Sequence, residues 1–207
     1  VVGHSSSEFY INRYAGVNPA NGDALWLTKD DELTTEYNEA DKVMIGKSFV
    51  APWQGGFGTT ISWNGLSLSS MFSWVANRWM INNDRFFEES NGLYSVYNQS
   101  RRLLYDRWKK PGDITDIPRY GITPQMDSRF LENASFLRLK NLTLNYTLPA
   151  SLLKKSKAIE RANVYIQGQN LFTITDFTGI DPEATGNVYQ AQYPMSRQFT
   201  LGLDITF

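Results

Sequence analysis

Asp113, Asp116 and Arg119 lie together in the stretch PGDITDIPRYG. Two carboxylates beside a guanidinium are the groups an acid–base hydrolase sets around a glycosidic bond. That chemistry also needs one carboxyl held protonated while the other stays ionised. Three residues of separation in a Pro/Gly-rich stretch supply no means of holding either, so the reading here is loop structure. Asp181, Glu183 and Asn187 offer oxygens to calcium, but without the spacing of an EF-hand loop. They belong to a segment, Gly179-Ile180-Asp181-Pro182, that is similar to Gly16-Val17-Asn18-Pro19. Asn or Asp before Pro initiates turns through its own side chain, and turns are expected at both places.

Other chemistries fall away by residue count. The 207 residues contain no Cys, which excludes disulfides, thiolate zinc sites and thiol nucleophiles. The one His, His4, lies in a Ser-rich stretch near the start, so a His-based triad or multi-His metal site cannot be built. Asn133, Asn141 and Asn145 match the N-glycosylation pattern. Two of the three fall inside a strand, where a glycan would obstruct pairing. No phosphate loop, zincin motif or nucleophile elbow occurs. A net charge of -1 leaves no basic footprint for nucleic acid. No catalytic residue, metal ligand or cofactor is expected.

The elements themselves are the stronger signal. From Gln198 to Phe207, Phe199, Leu201, Leu203, Ile205 and Phe207 alternate with Gln198, Thr200, Gly202, Asp204 and Thr206. This period of two makes one face large and apolar and the other polar. Arg161 to Thr175 reads as a strand with Val164, Ile166 and Phe172 on one face and Gln167 and Gln169 on the other. Phe136 to Leu148 changes phase at Lys140-Asn141, which predicts a bulge or a strand leaving the membrane as a rim. Alternating runs Phe57–Trp63 and Leu66–Trp74 flank Asn64-Gly65, the pair that suits a type I′ hairpin turn. Glu8 to Gly16 is read as a sixth, weaker strand.

The connections between these strands fall at 17–54, 64–65, 78–133, 149–160 and 176–196, so long and short ones alternate. Membrane barrels segregate loops in this way, with short periplasmic turns and long outer loops. No apolar run approaches the ~18 residues of a membrane helix, but barrel strands never need one. In the long loop, Asn98 to Trp108 is predicted helical, with Tyr97, Arg101, Leu104, Tyr105 and Trp108 on one stripe. Ala150 to Glu160 reads as a second short helix, carrying Lys154-Lys155-Ser156-Lys157 as a solvated run.

Four segments carry a family resemblance. ASFLRLKNLTLNYTLP (134–149), RANVYIQGQNLFTITDFTGIDPE (161–183), WKKPGDITDIPRYG (108–121) and YAGVNPANGD (14–23) resemble, in order and spacing, the C-terminal region of SusC/RagA-type TonB-dependent transporters. The resemblance implies an all-β fold: about six C-terminal strands of a bacterial outer-membrane barrel of about 22 strands, with long extracellular loops carrying short helices. Residues 1–207 would all belong to that barrel, with the plug domain lying elsewhere. It further implies import of oligosaccharides or peptides, a SusD-like surface lipoprotein as partner, and energy from the TonB complex.

On this reading Phe199, Leu201, Leu203, Ile205 and Phe207 face lipid and form the strand read by the insertion machinery. Gln167, Gln169, Thr200 and Asp204 line the lumen, and Trp63 sits at the membrane interface. Trp108, Asp113, Arg119 and Tyr120 are the candidates for contact with ligand or partner, without bond-breaking chemistry. The alternatives are a secreted carbohydrate-binding β-sandwich and, behind it, an extracellular glycosidase. Neither accounts for loops segregated by length or for a chain ending on an aromatic strand.

Overall fold

The computed structural model describes residues 2–153 and 158–207, so the lysine run 154–157 lies outside the described residues. In chain order the strands are β1 (Glu8–Ile11), β2 (Arg13–Val17), β3 (Ala24–Leu27), β4 (Leu33–Thr34), β5 (Val43–Ser48), β6 (Trp53–Trp63), β7 (Leu66–Ala76), β8 (Trp79–Asn82), β9 (Leu131–Asn133), β10 (Phe136–Thr147), β11 (Arg161–Thr175), β12 (Val188–Tyr189) and β13 (Gln198–Thr206). Among the described residues three α-helices of one or two turns accompany them: α1 (Asn83–Glu88), α2 (Arg102–Tyr105) and α3 (Ala150–Leu153). The residues divide into two compact units.

One unit contains the long strands: residues 52–76, 135–175 and 193–207. They form a single antiparallel sheet in the order β13-β11-β10-β7-β6. The β6–β7 hairpin closes on Asn64 at φ 47 and Gly65 at φ 83, the two positive angles a type I′ turn requires. Gly65 O accepts Thr147 N at 2.8 Å, so the tight turn and the start of the 149–160 connection share one end of the sheet. The long connections all leave from the opposite strand ends, at Trp53, Ala76, Phe136, Thr175 and Gln198.

The phase change in β10 is a bulge, the first of the two readings the sequence pattern allows. Leu139 and Asn141 pair with Phe72 and Met71, which are adjacent in β7, so Lys140 is the extra residue. In β11 the corresponding partners are Phe172 and Gln169, with Asn170 and Leu171 between them. Asn170 takes a φ of 52° and donates through Nδ2 to Ser196 O at 3.2 Å. The bulge therefore brings Leu137 and Leu139, which are odd, onto the same face as Leu142, Leu144 and Tyr146, which are even. It corrects the register of the apolar face and does not switch it.

The other unit gathers residues 1–51, 77–134 and 176–192. Its sheets are small: β1-β5, β2-β3-β4 and β12-β8-β9. Phe9, Ile11, Ile81, Phe130 and Leu131 form one buried cluster, and Met80, Ala134, Phe177, Ala184 and Tyr189 another. Each cluster draws on segments far apart in sequence.

Two sequence expectations are corrected here. Glu8 to Gly16 is not a sixth strand of the long sheet: it breaks into β1 and β2, which pair with β5 and β3. The break falls at Asn12, buried with its Nδ2 donating to Asn38 O at 2.7 Å. The helix expected over 98–108 is a single turn, α2, and Leu103 is its buried residue. Tyr97, Leu104 and Tyr105 of the expected stripe are exposed. Arg102 is anchored by carboxylates, and Trp108 N is drawn to Ile117 O at 3.0 Å, which ends the helix early.

Candidate functional site

Residues opposite one another in an antiparallel pair share a face, so the register sorts the long sheet into two surfaces. On one surface Leu201, Ile166, Leu144, Leu68 and Ile61 form a row across all five strands. The next row is Leu203, Val164, Tyr146, Leu66 and Trp63. All ten side chains are exposed, from Leu144 at 39% to Trp63 at 78%. Beyond the bulge the surface continues as Phe172, Leu139, Phe72 and Phe57, with Phe57 and Phe72 stacked at 5.0 Å. Phe199 and Ile205 of β13 belong to it as well, opposite Gly168 and Ala162. Phe207, one residue beyond the strand, is exposed too.

The opposite surface is polar. Thr200, Gln167, Thr143, Ser69 and Thr60 make one row. Asp204, Asn163 and Thr147 make another, and Gln169 stands opposite Gln198 and Asn141. Side chains cross-link the strands here. Gln167 Nε2 donates to Asn141 Oδ1 at 2.9 Å, Thr147 Oγ1 donates to Asn163 Oδ1 at 2.8 Å, and the Thr60 and Ser69 hydroxyls lie 3.1 Å apart. A hydroxyl- and amide-covered face suits water, and the leucine- and aromatic-covered face suits an apolar medium.

The candidate contact residues lie in a loop of the other unit. Trp108 lays its ring over Gly22 and donates through Nε1 to Pro19 O at 3.1 Å. Arg119 donates through Nε to Asp23 Oδ1 at 2.9 Å, and its backbone N donates to Gly22 O. These bonds clamp 108–121 onto 14–23, two of the segments singled out in the sequence. Asp113 accepts the backbone N–H groups of Lys109 and Lys110, both at 3.0 Å, and these hold its carboxyl below the usual range. Asp113 is thus engaged in holding its own loop, and Trp108 and Arg119 in holding that loop to 14–23, whereas Tyr120 presents an exposed ring. Asn18 and Asp181 accept from the backbone N–H two residues on, the turn role expected of both.

Asp116 belongs to a charged hub the sequence reading missed. Arg102 donates to both its oxygens at 2.7 and 2.8 Å, and Arg85 donates at 3.0 Å. Burial pulls the Asp116 carboxyl upward, but the two guanidiniums outweigh it and keep it below the usual range. Both guanidiniums also bond Glu89 Oε1, and Arg85 reaches Glu132 at 3.2 Å. Glu132 in turn accepts from Thr178 N and Asn82 Nδ2. In sequence the hub is hinted at by the i,i+4 spacings of Arg85 with Glu89 and of Arg102 with Asp106. Its remaining partners are brought in by the fold.

The hub walls a cleft of about 500 Å³. Asp84, Arg85, Glu88, Glu89, Arg102 and Asp116 supply its charged lining. Among the described residues no cluster of His, Cys, Asp or Glu has metal-binding geometry.

Long antiparallel strands with an exposed apolar face, a polar reverse and loops segregated by length define a segment of transmembrane β-barrel wall. Comparison with known proteins agrees. No family model matches the chain. TonB-dependent receptor P26 of Formosa agariphila is 31% identical over 73% of the chain and 16% of its own length. TonB-dependent receptor SusC of Bacteroides thetaiotaomicron is 25% identical over the whole chain and 20% of its own length. The solved structure of the RagAB peptide importer in its open-open state matches 97% of the chain and 22% of the solved chain, at 43% identity and a TM-score of 0.89. The chain belongs to the SusC/RagA type of TonB-dependent outer-membrane transporters, and it spans about a fifth of the length of these relatives.

Proposed function

We propose that the chain supplies barrel wall and outer loops to an outer-membrane importer of peptides that works with a SusD-like surface lipoprotein and is driven by the TonB complex. The two-faced sheet carries this reading. Lipid offers no hydrogen-bond partners, so a sheet spanning it must pair all its strands and present apolar side chains outward. Phe199, Leu201, Leu203, Ile205 and Phe207 meet lipid, and Gln167, Gln169, Thr200 and Asp204 face a wet lumen. The remaining strands, the plug and the segment that meets TonB lie in the rest of the protein. No bond is made or broken by these residues.

Peptide is favoured over oligosaccharide because likeness to the RagAB peptide importer, at 43% identity, exceeds likeness to SusC, at 25%. The loop carrying Trp108, Asp113, Arg119 and Tyr120 covers the barrel mouth or meets the lipoprotein, with Tyr120 as its outward ring. Uptake of labelled oligopeptides and of labelled maltooligosaccharides by a deletion strain complemented with the full-length gene tests the cargo. Peptide uptake should return and sugar uptake should not, and the reverse result would overturn the peptide reading.

A further inference from the structure

The cleft beside α1 carries more negative charge than its arginines neutralise. Four lining carboxylates, Asp84, Glu88, Glu89 and Asp116, stand against two guanidiniums, Arg85 and Arg102. Both guanidiniums are already spent on Glu89 Oε1 and Asp116, with further bonds to Glu132 and Asp106. Asp84 and Glu88 are left facing each other at i,i+4 on a six-residue helix, a like-charge spacing that weakens a helix. Burial and the charges of Asp84 and Glu89 push the Glu88 carboxyl upward, the mark of a group short of a cation.

A second, independent feature lies in Glu89. It is 1% exposed and lines the cleft, with both arginines on Oε1 and no donor on Oε2. A buried carboxylate oxygen without a donor is costly, the more so when charged. The cleft thus lacks both a positive charge and an N–H. A metal ion does not answer the need, since the carboxylates do not converge at metal-ligand spacing. An organic cation does: it brings charge and donors on a stem that about 500 Å³ can hold.

We infer that this cleft is a subsite for the ammonium or guanidinium group of a basic residue in a cargo peptide, held by Asp84, Glu88 and Glu89. The inference rests on the peptide reading above and adds charge selectivity to it.

The full-length transporter with its lipoprotein partner, in detergent, serves as the test protein. The probes are two fluorescent heptapeptides of identical sequence, both N-acetylated, one carrying lysine and the other acetyl-lysine. The lysine peptide should bind at least tenfold more tightly. In an Asp84→Asn, Glu88→Gln variant that preference should shrink to about twofold, while affinity for the acetyl-lysine peptide stays unchanged. Both substitutions are isosteric and leave the arginines' partners in place. The amide oxygen introduced at position 84 would still accept the Ala191 N–H that Asp84 holds at 3.0 Å. Equal binding of the two peptides overturns the inference and leaves the peptide reading standing, as does a preference that survives in the variant. If neither peptide binds, both fall. If the variant instead loses its lipoprotein partner, the cleft holds a basic side chain of that protein and the cargo assignment is wrong.

Discussion

Trp53 and Trp63 stand on the same face of β6, at its two ends, ten residues apart. At about 3.3 Å per residue they are separated by roughly 33 Å along the strand. Tilted by about 40°, as barrel strands are, that span projects to about 25 Å, the height of an outer-membrane apolar band. Both rings are exposed, and Phe57, Thr59 and Ile61 lie between them. An indole is apolar in body with one N–H to satisfy, so it settles at the headgroup level. The two tryptophans are therefore expected to mark the upper and lower membrane boundaries. Nitroxide labels at 53, 59 and 63 of the full-length protein test this. The label at 59 should be the most accessible to oxygen and the least accessible to a water-soluble nickel chelate. Equal values at the three sites would remove the assignment.

The alternation of β13 predicts opposite responses to charge. Leu201 lies in the row Leu201-Ile166-Leu144-Leu68-Ile61, and Thr200 lies in the polar row beside it. Leu201→Arg is expected to place a charge in hydrocarbon and to cost about 2–4 kcal/mol of barrel stability near the midplane. Thr200→Arg is expected to reach water and to cost far less. Denaturant unfolding in lipid vesicles, read by heat-modified gel mobility, compares them. A larger loss for Thr200→Arg would mean that the two faces are reversed.

The contrast between the two units explains what could be read from the sequence. In the long sheet each strand carries its own instructions. Alternation gives the faces, Asn64-Gly65 gives the hairpin, and the phase change at Lys140 gives the bulge. In the other unit the deciding partners are remote in sequence. Asn12 breaks a strand by bonding Asn38, and Arg102 finds Glu89 and Asp116. Helix α1 has six residues and an Asn82 cap, too little periodicity to register as a helix in sequence. Trp108, Asp113 and Arg119 are conspicuous by type, yet Asp113 ties its own loop and Trp108 Nε1 and Arg119 Nε bond Pro19 and Asp23 of a remote segment.

Glu89 should be the residue whose loss most disturbs the hub. It is buried, and both arginines share its Oε1. Glu89→Ala leaves two guanidiniums short of a partner in a partly buried site, where breaking a buried ion pair costs about 3–5 kcal/mol. Arg102 is partly exposed and keeps Asp106 and Asp116, so the loss should fall toward the lower end of that range. Hydrogen exchange should accelerate across residues 83–106 while the long strands keep their protection. Unchanged exchange in 83–106 would show that the hub contributes nothing to holding these segments.

Asp127 should give the loop unit a pH dependence whose sign follows from its burial. It is buried, accepting from Trp26 Nε1 at 2.7 Å and from Arg129 N at 2.9 Å. Burial pushes its carboxyl above the usual range, against the pull of those bonds and of Arg129. A folded pKa above the unfolded one means that the folded form binds the proton more tightly. Its stabilising share is complete below the ordinary Asp value of about 3.9 and is lost as pH rises through the folded pKa. The stability of wild type relative to Asp127→Asn should therefore decline over that window. Hydrogen exchange in residues 24–28, measured at several pH values for both proteins, reads it out. A difference that grows with pH would refute the sign.

Gly22 is the hinge pin of the clamp between 14–23 and 108–121, and its substitution should undo that clamp. A Cβ built there would lie 2.4 Å from Trp108 Cε3 and 2.9 Å from Arg119 Cβ, far inside contact distance. The glycine's φ of 78° adds strain for any side chain, on the order of 1 kcal/mol. Gly22→Ala must therefore push away the tryptophan whose indole bonds Pro19 O and the arginine that bonds Asp23. Gly112 provides the control. Its φ is 96°, but nothing lies within 4 Å of an added Cβ, so Gly112→Ala incurs the backbone strain alone. In Gly22→Ala the Trp108 ring should become accessible to an aqueous quencher, and amide exchange at Gly112 and Arg119 should rise at least tenfold. Gly112→Ala should leave the half-buried Trp108 ring as accessible as it is in the unsubstituted protein. Equal behaviour in the two variants would mean that backbone strain alone, and not the packing of Trp108 on Gly22, governs how these loops hold together.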